Sequence, residues 1–89
     1  MQIMKKDKIV DIELECLMVF FMPACNTFYQ LVKNPYNLEN YHLVNMSTGE
    51  HWFFPMTLAE MEKELVEQGF KYVGCLENFV CWEDLIENV

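Results

Sequence analysis
His42, His51, Cys75 and Cys81 are the residue types that hold zinc, as neutral imidazoles and thiolates. Their spacing argues against a zinc site. Cys75 and Cys81 are six residues apart, wider than the close pairs of zinc-binding loops. In the hairpin register described below, His42 and His51 fall on opposite sides. Nucleophilic catalysis would need a thiol or hydroxyl beside a base and an orienting group. No strained nucleophile turn marks such a site. Paired carboxylates for glycoside hydrolysis can always be found among 14 acids. Here the acids lie mostly on a regular helix face and a strand face, where solvated carboxylates belong. The 3 glycines are scattered, so no loop cradles a phosphate. No catalytic residue, metal site or cofactor is assigned, and the chain reads as a non-enzyme.

What remains is charge and aromatic surface. The net charge is −8, and its placement is uneven. Residues 1–33 hold four acids and four lysines, whereas residues 34–89 hold ten acids and two lysines. No arginine is present, so the planar fork that grips phosphate and guanine is missing. A net anion of this kind is repelled by nucleic acid and by anionic membrane surfaces. The partner that fits is a protein with a basic surface, steered in by long-range attraction.

The elements that must hold these groups follow from periodicity. Val10, Ile12, Leu14 and Cys16 alternate with Asp11, Glu13 and Glu15, which predicts a half-buried strand over 9–16. It runs on into an apolar stretch ending at Phe21, with Pro23 as its stop. Residues 26–34 suit a short helix capped by Asn26, or equally a strand through Phe28, Gln30 and Val32. Asn34-Pro35-Tyr36-Asn37 predicts a turn. Residues 41–46 and 50–54 predict a hairpin around Ser47-Thr48-Gly49, with Gly49 supplying a positive φ. In that register Val44 and His42 oppose Trp52 and Phe54.

Residues 58–68 predict the main helix. Thr57 and Glu60 form a capping box, flanked by Met56 and Met61 as a hydrophobic staple. Leu58, Met61 and Leu65 make its buried stripe, and Gly69 its left-handed end. Residues 70–74 predict a strand and residues 79–82 another, around a turn at Glu77-Asn78. Trp82, Leu85, Ile86 and Val89 recur at helical spacing and predict a short C-terminal helical turn.

The fold class expected is α+β, as a single domain over 1–89. A mostly antiparallel sheet of four to five strands carries one main helix on one face. Adjacent aromatics at Phe20-Phe21 and Phe53-Phe54 require a sheet covered on both sides, by a helix on one and a partner chain on the other. The 4 cysteines read as reduced, buried thiols. Neither a leader pattern nor a membrane span is read in the sequence, and the expected location is the cytoplasm of a cell or an infected host.

The functional expectation is a small acidic binding protein that modulates or inhibits a larger basic partner, in the manner of phage or mobile-element inhibitors and nucleic-acid mimics. The expected contact residues are Glu60, Glu62, Glu64 and Glu67 on the helix, Asp11, Glu13 and Glu15 on the first strand, and the anchors Trp52 and Trp82. Two alternatives are carried: a self-associating domain that forms a homodimer through the apolar second face, and a small-molecule binder lined by Trp52 and Trp82.

Overall fold
The computed structural model describes every residue except Phe53 and Val80. The chain opens with a hairpin of β1 (Gln2–Lys5) and β2 (Lys8–Asp11), pairing Met4 with Ile9. Lys6 begins its two-residue turn with φ of 53°, the left-handed angle such turns need. The strand expected over 9–16 therefore ends at Asp11. Its alternation nevertheless describes burial correctly. Leu14 is buried, Val10, Ile12 and Cys16 pack on the same core, and Asp11, Glu13 and Glu15 are exposed. An extended chain lying on a core shows period two whether or not a neighbouring strand pairs with it. Beyond Asp11 the four-residue β1 offers only Met1, whose carbonyl accepts from the Ile12 N–H at 2.8 Å.

Leu17, at φ of 70°, turns the chain into β3 (Met18–Met22), all five residues of which are buried. β4 (Thr27–Asn34) follows, so the strand alternative holds for this segment. β5 (Asn37–Asn45) returns after the Asn34 turn, in which the Asn34 Oδ1 accepts from the Tyr36 N–H at 2.9 Å. Helix α1 (Leu58–Glu67) and β6 (Lys71–Cys75) complete an antiparallel sheet of order β5-β4-β3-β6. A 3₁₀ turn (Leu76–Asn78) and helix α2 (Trp82–Glu87) end the chain. The strand expected over 79–82 is not formed: Trp82 opens α2, and Val80 lies outside the described residues.

The strand expected over 50–54 is not formed among the described residues; the segment after β5 meets that strand only at isolated bridges, out of the expected register. The Met46 N–H is drawn away to the Phe28 carbonyl at 3.0 Å, so it leaves the hairpin ladder. Asn45 closes the loop instead, donating its N–H to the Glu50 carbonyl at 2.7 Å. His51 then bridges Val44, and Met56 bridges Tyr41. The first bridge falls one residue short of the expected register and the second one residue past it, so the pairing is not uniform. Gly49 still takes its positive φ, at 78°. The expected neighbours Phe53 and Phe54 are only half testable, because Phe53 lies outside the described residues; Phe54 is 90% exposed.

Two cores flank the sheet. On one face Phe20, Leu31 and Leu43 pack with Met61 and Leu65 of α1, all fully buried. On the other, Val19, Phe21, Phe28 and Val73 pack with Leu85 of α2. The second face is thus covered in part by the chain itself, where a partner chain was expected. Gly74 makes this possible at one point: a Cβ there would sit 2.8 Å from the Phe79 ring. The two helices match expectation closely, and Phe70 follows Gly69 with its N–H on the Leu65 carbonyl at 3.1 Å. Among the described residues, no helix is long and apolar enough to cross a membrane.

Candidate functional site
The expected contact residues do not form one surface. Glu60 is consumed by the cap of α1. Its Oε1 accepts from the Thr57 N–H at 3.1 Å and from the Thr57 hydroxyl at 2.9 Å. These bonds, the backbone one first, hold its carboxyl below the usual range. Glu67 sits 4.0 Å from Lys63, and Glu64 accepts from the Gln68 side chain at 3.5 Å. Glu62 is half-buried. The helix therefore spends much of its acidity on its own neighbours.

Asp11 lies 3.0 Å from the Met1 ammonium. Glu13 and Glu15 are exposed, but on an unpaired segment, so the three acids make no regular strand row. Trp52 and Trp82 are separated by the sheet. Trp52 stands edge-on to Tyr29 and Phe70 on the α1 side, with ring centroids 5.4 and 6.0 Å away. Trp82 stands edge-on to Phe28 at 5.0 Å on the α2 side.

What the fold assembles instead is a groove around α2. Trp82, Ile86 and Val89 face Phe21, Asn26 and Phe28 across a cavity of about 430 Å³. The α2 sequence, W-E-D-L-I-E, buries only Leu85. Trp82 and Ile86 remain 46% and 54% exposed, and the exposed acids Glu83 and Glu87 lie on the same helix. Asp84 holds the start of α2, its Oδ2 accepting from the Cys81 N–H at 3.2 Å. Sequence reasoning read Ile86 only as one member of a helical spacing. The spacing of Trp82, Leu85, Ile86 and Val89 was the available signal; it located the apolar stripe but not which members the sheet would cover.

The observed bridges also create a pair that the sequence kept apart. The His42 and His51 rings lie 4.4 Å apart, centroid to centroid. His42 is buried, and its Nδ1 has no hydrogen-bond partner. Burial first, and the neighbouring His51 second, push its pKa below 6.5. Two imidazoles alone are too few for a structural zinc site. Among the described residues no three His, Cys, Asp or Glu side chains converge as metal ligands.

None of the four thiols is paired. Cys16 and Cys75 are partly buried, but Cys25 and Cys81 are exposed, contrary to the buried role expected of them. Their positions explain the difference: Cys25 sits in the β3–β4 turn, and Cys81 just before α2. At Cys81 the hydrogen bond from the Asp84 backbone favours the thiolate. The hydrogen bond to the Glu83 side chain and the Asp84 charge outweigh it and push the thiol upward. An anionic surrounding of this kind is the reverse of what activates a nucleophilic cysteine.

Comparison of the chain with family models, with curated proteins and with solved structures finds no match in any of the three.

Proposed function
We propose that this chain is a non-enzymatic binding protein that docks on a basic protein partner, with α2 rather than α1 as its contact element. The observation that carries the reading is the half-exposed Trp82–Ile86 pair beside an open apolar groove, on a helix that also bears exposed acids. A Trp seated on its own core ring, with one side open, is the kind of anchor that dominates protein interfaces. Flanking carboxylates steer a Lys/Arg-rich partner toward it and fix its orientation. The absence of arginine and the net charge of −8 favour that sign of partner over nucleic acid. The same physics suits a regulator that blocks a larger protein in the cytoplasm of a cell or an infected host.

The test is a titration with an amphipathic Lys/Arg-rich peptide, followed by tryptophan fluorescence. Trp82→Ala is expected to weaken binding at least tenfold, which is about 1.4 kcal/mol. Trp52→Ala, on the other face, is expected to leave it nearly unchanged. Raising salt from about 50 to 200 mM should weaken binding, because exposed charges are screened. If replacing Glu60, Glu62, Glu64 and Glu67 by Gln abolishes binding while Trp82→Ala does not, the contact lies on α1 and this reading is wrong. A stable homodimer that buries Trp82 in the absence of any peptide would favour self-association instead.

A further inference from the structure
A second groove lies on the other face of the sheet, the face covered by α1, and its one charged lining residue is a lysine. Met4 and Ile9 of the β1–β2 hairpin form one wall. Val66 and Phe70, at the end of α1 and just beyond it, form the other, around a cavity of about 310 Å³. Ile9 is 67% and Val66 52% exposed, so apolar surface is left open on both walls. Lys71 is the one charged residue lining it, with the Gln2 amide beside it.

Two of the acids on the flanking elements are engaged, while Asp7 is exposed in the hairpin turn and Glu62 is half-buried on α1. Asp11 pairs with the Met1 ammonium and Glu67 with Lys63. Among the described residues Lys71 has no ion-pair partner. Lys5, Lys6 and Lys8 stand on the same hairpin, Lys5 with its Nζ 5.3 Å from the centre of the Tyr72 ring. Four of the chain's six lysines thus gather at this edge of an otherwise acidic protein.

An apolar cleft of a few hundred Å³ with a single uncompensated charge is the usual form of a small-ligand site. We propose that this groove binds one acyl chain ending in an anionic head, with the chain between the hairpin and α1 and the head on Lys71. Apolar burial supplies most of the affinity, and the ammonium selects the sign of the head. The groove at α2 has the opposite selection, because Glu83, Asp84 and Glu87 repel a carboxylate. This site is independent of the protein-docking surface.

The test is a titration with sodium decanoate below its micelle concentration, followed by amide NMR shifts. Saturable shifts confined to Ile3, Met4, Ile9, Val66, Gly69 and Lys71 are expected. Lys71→Glu and Val66→Glu should each weaken decanoate at least tenfold. Both side chains are at least half-exposed or at the surface edge of β6, and unchanged shifts elsewhere would show that the fold is intact. Decyltrimethylammonium is expected to bind at least tenfold more weakly than decanoate. Trp82→Ala should leave decanoate binding unchanged, which separates this site from the peptide surface. Equal binding of the cationic amphiphile, or shifts at the α2 groove, would overturn the proposal. So would an acidic amphipathic peptide that moves the same amides when decanoate does not.

Discussion

The two helices cover opposite faces of one sheet, yet they do different work. α1 is ten residues long, places Met61 and Leu65 in full burial and closes both ends, with a capping box at Thr57 and a left-handed Gly69. α2 is six residues long, buries only Leu85, and leaves Trp82 and Ile86 open beside a groove. α1 satisfies its own ends and hides Met61 and Leu65, with Val66 left exposed near its C-terminal end. A short helix that cannot cover the sheet leaves apolar surface on both itself and the sheet. The comparison teaches that acidity alone does not mark which helix keeps apolar surface open. α1 carries four acids in ten residues and α2 three in six; on α1 Glu60 is tied into the cap, and on α2 Trp82 and Ile86 stay exposed.

The largest expected contrast is in stability. Leu65→Ala should cost about 3 kcal/mol, because it empties a fully buried site between α1 and the sheet. Leu85→Ala should cost about 2 kcal/mol, since the short terminal helix can settle into part of the void. Urea denaturation at constant slope measures both. Equal losses would show that α2 is as integral as α1. Hydrogen exchange sharpens the same point: α1 amides should open only with the whole fold, and α2 amides by local fraying.

Next in size is Gly74→Ala, expected to cost about 2 kcal/mol. Gly74 has φ of 153°, and the added Cβ would press on Phe79 at 2.8 Å. The loss should fall on the α2 face, so Trp82 fluorescence should shift while Trp52 packing persists. A smaller effect separates the caps. Thr57→Ala should cost about 1 kcal/mol, whereas Asp84→Ala should cost about 0.5 kcal/mol, because α2 has fewer turns to protect.

The smallest effect is in pH dependence. His42 has a folded-state pKa depressed below 6.5 by burial and by His51. The unfolded chain therefore takes up the proton first. Stability from this group is complete above pH 6.5 and declines as the pH falls from there through the folded value. Glu60, depressed below 4.5 by the Thr57 hydrogen bonds, loses its contribution only as the pH falls below that point. His42→Phe should flatten the upper window and leave the lower one, and Thr57→Ala should do the reverse. Urea midpoints between pH 7 and pH 3 check both. A His42→Phe protein that still weakens between pH 7 and 5.5 would assign that window to another group.

Much of the fold was legible because its signals are local. The capping box, the Gly69 end and the α1 stripe all depend on residues within a turn of one another. The Asn34 turn and the Gly49 angle are equally local. The antiparallel α+β class followed from strands joined by short turns. What was misread involves partners distant in sequence. The alternation over 9–16 was right about which side chains face the core, but it could not say that no strand would pair beyond Asp11. The strand expected over 50–54 does lie against β5, yet it forms only isolated bridges, in a register its own pattern did not fix. In the observed pairing His51 meets His42, and Trp52 packs on Tyr29 and Phe70 on the α1 side.

The sequence by itself determined the helix α1 with its caps, the antiparallel α+β class, the net charge and the lack of arginine. These rest on chain-neighbour sterics, backbone hydrogen bonding and composition, which no tertiary contact alters. Only the tertiary structure decided which acids are engaged, where the two tryptophans lie, and that apolar grooves open on both faces of the sheet, one beside the acids of α2 and one beside Lys71. Those properties depend on which surfaces meet across the sheet, and a linear pattern records exposure to a core without recording what the core is made of.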